Sequence, residues 1–153
     1  MSNYLINFLT LVFWFIALWI PVNVLHELFH AWALKMQGSG YTIKVWFWKF
    51  IPSLVCSPTG TIKNRYLFYF SGGVLAGLVC FLSGLLLQYI YMPIAIPLII
   101  LGFMEFNYGI YEGLYGGKIP LDKYMREHYI IYAVSFIIAF IVLIPQIIGV
   151  VTS

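Results

Sequence analysis

His26-Glu27-Leu28-Phe29-His30 is an H-E-x-x-H pattern set inside a long apolar stretch. On a helix, positions i and i+4 share a face, so both imidazoles can reach one cation. Neutral imidazole suits zinc, at about 2.0–2.1 Å. Glu27 stands beside that face, where it can act as general base on zinc-bound water. Zinc lowers the pKa of its water to about 7 and polarises a carbonyl, which is the chemistry of peptide-bond hydrolysis. The chain has only three histidines, and the motif takes two of them. Ionisable side chains inside a membrane helix are costly to keep there and are functional candidates by default.

The composition says what kind of scaffold must position this motif. Of 153 residues, 63% are hydrophobic and 8% charged, against roughly a quarter charged in a water-soluble domain. Mean hydropathy is +0.96. A soluble globular protein is excluded, and so is a disordered one, which needs low hydrophobicity and high charge. The net charge of +3 comes from few groups, with no Lys/Arg run interleaved with aromatics, so no nucleic-acid partner is expected. Cys56 and Cys80 make no disulfide framework. Three histidines are too few for a histidine-rich oxidase, and no internal repeat suggests a transporter.

Spans of roughly 20 residues fit this length about four times, hence one membrane-embedded domain over residues 1–153. The first apolar stretch, about Tyr4 to Met36, is longer than one bilayer core, so it must tilt, kink near Pro21 or protrude. It lacks a basic n-region and a cleavage site and reads as a retained membrane segment. Gly38-Ser39-Gly40 ends it. Tyr41-Thr42-Ile43-Lys44-Val45-Trp46 alternates like a strand, and Pro52, Pro58 and Gly60 punctuate the next stretch of chain. That pattern predicts a β-hairpin or interfacial loop with Trp46 and Trp48 at headgroup level. Further spans are expected at about Tyr66 to Gln88, Tyr91 to Gly109 or Tyr115, and Tyr129 to Val151. Gly72, Gly73, Ala76 and Gly77 give the second span a small-residue face for close helix packing. The fold class is therefore an all-α integral membrane protein of about four transmembrane helices, with a hairpin between helices 1 and 2.

All eight basic residues, Lys35, Lys44, Lys49, Lys63, Arg65, Lys118, Lys123 and Arg126, fall on connections 1–2 and 3–4. The positive-inside rule makes those connections cytoplasmic and puts both termini outside. His26 and His30 lie toward the cytoplasmic end of helix 1. Glu112 and Asp122 lie at the same end, between helices 3 and 4, so these candidate ligands share a membrane depth that water can reach from the cytosol.

With the motif in an apolar helix, a strand-like loop, a glycine-rich second span, and an Asn and an Asp near the last helices, the chain resembles the site-2 protease (M50-like) family of intramembrane zinc metalloproteases. Phe29 stands where that family usually has Gly before the second His, and Gly72-Gly73-Val74-Leu75-Ala76-Gly77 echoes its glycine signature without the Pro or Asn. The resemblance implies a third, acidic metal ligand shortly before the last helix. Leu121-Asp122-Lys123 matches it in position, with Lys123 for the family's Gly. Glu112-Gly113, closer to Asn107, is the rival; Glu105, seven residues earlier on the same face, and His128 are outsiders. The resemblance also implies that Asn107 orients substrate or hydrogen-bonds the developing oxyanion; an interhelical hydrogen bond is the plainer role.

The expected function is an intramembrane zinc metalloprotease acting on membrane-embedded protein substrates in the lipid bilayer. Its metal ligands would be His26, His30 and either Asp122 or Glu112, with Glu27 and Asn107 catalytic. The strand-like Tyr41–Val45 segment could receive an extended substrate by strand addition. The alternative is a non-catalytic membrane adaptor or assembly protein that keeps the motif. A homo-oligomer or a membrane partner is left open.

Overall fold

A computed structural model describes residues 2–48 and 51–152. Lys49 of the basic set and the Trp46 and Trp48 side chains, expected at headgroup level, fall outside what is described. The elements run α1 (Ser2–Met36), β1 (Tyr41–Trp48), β2 (Ile51–Pro58), α2 (Arg65–Phe70), a π-helical turn (Ser71–Leu75), α3 (Ala76–Leu87), α4 (Met92–Tyr115) and α5 (Leu121–Thr152). Among the described residues, four helical stretches are long and apolar enough to cross a membrane: Asn3–Met36, Arg65–Leu87, Met92–Tyr115 and Asp122–Thr152. The expected four-span helical fold with a hairpin between helices 1 and 2 is the one observed.

Local chemistry explains the ends. Gly38 takes a left-handed φ of 71°, which a side chain would oppose, and Ser39 N–H donates back to Leu34 O at 2.9 Å, closing α1. The Asn64 side chain accepts the Leu67 N–H and caps α2. Pro93 sits in the first turn of α4, where its missing N–H costs nothing. The fourth span begins earlier than expected, at Leu121 instead of Tyr129. Pro120 ends the glycine loop and Asp122 favours a helix N-terminus, so the charged residues between them join the helix.

The helices differ in what they face. Most of the apolar stretch of α4 is buried, whereas α1 and α5 leave most of theirs exposed; α4 is the inner helix and the other two turn apolar surface outward. Toward its C-terminal end, α1 buries Val22, His26, His30 and Leu34, four residues apart on one stripe. The histidines therefore lie on the packed side of that helix. The second span meets α4 through glycines. A Cβ added at Gly73 would lie 2.5 Å from Gly109 Cα, and one at Gly77 would lie 2.7 Å from Gly102 O. The expected small-residue face is real, and it brings the helix backbones into contact.

β1 and β2 pair antiparallel, Tyr41 opposite Pro58 and Ile43 opposite Cys56. Cys56 N–H does not join this ladder; it donates to Glu27 Oε2 at 2.6 Å. The free edge of β2 thus faces α1.

Candidate metal centre

Three side chains from two helices converge on one buried point. α1 contributes His26 and His30, and α4 contributes Glu112. The two Nε2 atoms lie 3.0 Å apart, and Glu112 Oε2 lies 3.3 Å from each. Ligand atoms at tetrahedral corners, about 2.0 Å from a metal, stand about 3.3 Å apart.

In neutral imidazoles, the partners of the other ring nitrogens decide which nitrogen carries the hydrogen. His30 Nδ1 lies 2.7 Å from Phe68 O; a carbonyl only accepts, so this nitrogen carries the hydrogen and Nε2 presents a lone pair. His26 Nδ1 lies 2.7 Å from Glu105 Oε2, and Tyr132 donates its hydroxyl to the other oxygen of that carboxylate. With His26 donating from Nδ1, its Nε2 also presents a lone pair. Glu112 Oε2 stands within ion-pair distance of both rings yet has no hydrogen-bond partner and is buried. With the ring hydrogens on the far side, three lone pairs face one another. A buried acceptor without a donor costs about 1–3 kcal/mol, and a cation between the three groups removes that cost. The group of His26, His30 and Glu112 can hold a metal ion.

The surroundings are built to match. A Cβ at Gly72, in the π-helical turn, would collide with His30 Nε2 and lie 2.8 Å from His26 Nε2. Only a glycine leaves this space open; π-turns recur at functional sites. Phe68 O, just before that turn, also accepts from Ser71 Oγ at 2.8 Å, which holds the carbonyl that orients His30. Tyr108 stacks on His26, with ring centroids 5.6 Å apart, and its hydroxyl lies 2.5 Å from that of Tyr124. His128 packs between Tyr108 and Tyr132, one layer behind His26.

The structure sorts the sequence candidates. It joins His26, His30 and Glu112. Asp122 is exposed in the first turn of α5, outside the cluster: the register of α4, set by its glycine contacts, turns Glu112 to the imidazoles. Asn107 donates to Phe103 O of its own helix at 2.8 Å, a bond within the helix where one between helices was expected. Glu27 stands at the rim, bound to Cys56 N–H. Burial and the Glu27 carboxylate push the Cys56 thiol up to about 11, so at neutral pH it is an uncharged packing group.

Two contributors are invisible to a motif search. Glu105 is the acceptor for His26, and its seven-residue offset from Glu112 was the only trace of this in the sequence. The Phe68 carbonyl is backbone and leaves no trace at all. If Glu105 orients His26, Glu105→Gln places an amide against two donors, Nδ1–H and the Tyr132 hydroxyl. Metal affinity is expected to fall about 10–100-fold, read by competition with a chromogenic chelator, and unchanged affinity would make Glu105 a packing group.

Fold and site together give a helical protein with four helices long and apolar enough to cross a membrane, around a buried two-histidine, one-glutamate group that can hold a metal ion. No family model, curated protein or solved structure matches the chain.

Proposed function

We propose that the protein is an intramembrane zinc metalloprotease of site-2 protease type, hydrolysing peptide bonds of membrane-embedded proteins. The observation that carries this reading is the convergence of both motif imidazoles and a buried, otherwise unpartnered carboxylate oxygen on one point. Two neutral imidazoles and one carboxylate are the donor set of catalytic zinc sites, which keep a fourth position open. The proposed family likeness then rests on the helix 1 motif, while the acid comes from Glu112 on α4 and not from the position of Asp122.

When bound, zinc supplies Lewis acidity, both to a water molecule and to the scissile carbonyl. The residues of the chain do the rest. His26, His30 and Glu112 hold the ion, and Glu105 and Phe68 O keep both imidazoles in the ligating tautomer. Glu27 takes a proton from the attacking water as the new C–O bond forms, and returns it to the leaving amine as the C–N bond breaks. A transmembrane helix hides its carbonyls in its own hydrogen bonds, so the substrate must unwind locally. Its extended segment has a place to go on the free edge of β2. This edge, and not β1 as the alternating Tyr41–Val45 segment suggested, borders Glu27. With basic connections on the cytoplasmic side, the site would draw water from the cytosol.

The test is metal-dependent cleavage. Purified protein in lipid vesicles with a transmembrane peptide substrate should lose activity to a zinc chelator and regain it on stoichiometric zinc. Stoichiometric zinc with no cleavage of any transmembrane substrate would leave a second reading, a non-catalytic membrane adaptor with a structural metal. One observation favours that reading: Glu27 Oε2 is engaged in a structural hydrogen bond.

A further inference from the structure

The bond between Glu27 and Cys56 ties the proposed base to the strand edge that a substrate would use. In an antiparallel pair the N–H and C=O of successive residues turn alternately toward and away from the partner strand. Cys56 N–H turns away, to Glu27, while Thr59 N–H turns inward to Gly40 O at 2.9 Å. By the register, Pro52, Leu54, Cys56 and Pro58 are the residues of β2 whose backbone groups face outward. Proline has no N–H. The outer edge therefore offers two donors, Leu54 and Cys56, with a proline at either end that stops pairing from running further. One of these two is already taken by Glu27.

A single N–H bonds strongly to one acceptor. A peptide that adds to this edge needs Cys56 N–H for one of its carbonyls, and Glu27 must let it go. We propose that this shared donor is an interlock: an extended peptide laid along β2 displaces the Glu27 carboxylate from Cys56 N–H, so that occupying the edge and freeing the base are one event. This rests on the protease reading for its purpose but not for its geometry. Without a peptide, the carboxylate oxygen is bound to the backbone. With one, it is released beside the metal centre where the peptide now lies. The prolines limit the edge, so the ligand class is a short extended polypeptide segment, read through backbone groups.

The test reads binding in the full-length zinc-loaded protein. The probe is a blocked, fluorescein-labelled Val-Thr repeat peptide of about six residues, the usual length of a strand, followed by anisotropy. Glu27→Ala removes a charge-assisted competitor and should tighten binding about tenfold or more over wild type. Glu27→Gln, a weaker acceptor, should fall between. Cys56→Pro deletes the contested donor at a position without a ladder bond. In that background binding should be weak, and adding Glu27→Ala should change nothing. Equal affinity in wild type and Glu27→Ala overturns the interlock, as does a gain that persists with Cys56→Pro. Should Cys56→Pro not fold, amide hydrogen exchange decides. Exchange at Cys56 should rise at least about tenfold in Glu27→Ala and fall again with the probe, and an unchanged rate overturns the proposal. The expected order of affinities in a zinc-loaded protein that cleaves no transmembrane substrate removes the protease reading and leaves the interlock standing.

Discussion

Glu27→Gln is expected to keep stoichiometric zinc and to lose peptide hydrolysis by about 10²–10⁴-fold, the usual contribution of a positioned general base. The expectation follows from the separation of roles in the structure. Glu27 lies on the helix that carries both histidines but is outside the converging group of His26, His30 and Glu112. Its bond to Cys56 N–H needs only an acceptor oxygen, which glutamine retains. The substitution therefore removes basicity with little change in the fold. Zinc content by atomic absorption beside turnover of a transmembrane peptide reads both halves at once. Full activity in this variant ends the assignment of Glu27 as the base. Loss of zinc as well would show that the residue supports the metal and not only the water.

The second large effect concerns the ligands. His30→Ala or Glu112→Ala should each weaken zinc by roughly two orders of magnitude or more, since a zinc site built of a few ligands owes about 3 kcal/mol or more to each. Asp122→Ala should leave zinc untouched, because that side chain is exposed and outside the cluster. The contrast between the two acids is the decisive part. Glu112→Ala also removes the unpartnered buried oxygen, so the metal-free variant should be at least as stable as metal-free wild type while losing the stabilisation that zinc confers. Thermal unfolding with and without zinc measures this. Zinc retained by Glu112→Ala and lost by Asp122→Ala would reverse the ligand assignment and require α5 to rearrange.

Much of this protein is written in local patterns. Hydropathy alone demands lipid for a solvent and counts the spans, since length and apolarity are properties of each segment by itself. The i, i+4 spacing places His26 and His30 on one helical face whatever else the chain does, and the alternation from Tyr41 with the prolines beyond marks the hairpin. The start of α5 was harder, because charged residues after Pro120 read equally well as a loop or as the polar first turns of a helix leaving the membrane.

Which acid joins the two imidazoles could not be settled this way. Glu112 and Asp122 are both acids at the same end of neighbouring helices, and the rotation of each helix about its axis decides which of them faces the imidazoles. The rotation of α4 is decided by Gly73 against Gly109 and Gly77 against Gly102, contacts between segments that have no fixed relation in one dimension. The same holds for Glu105 behind His26, for the Phe68 carbonyl that orients His30, and for Gly72, whose missing side chain leaves room beside the imidazoles. The chain's own order thus determined the membrane class, the spans and the two imidazoles, because each depends on neighbours a few residues away. Only tertiary packing decided which acid completes the group and where Glu27 is held, because those depend on how helices rotate and meet.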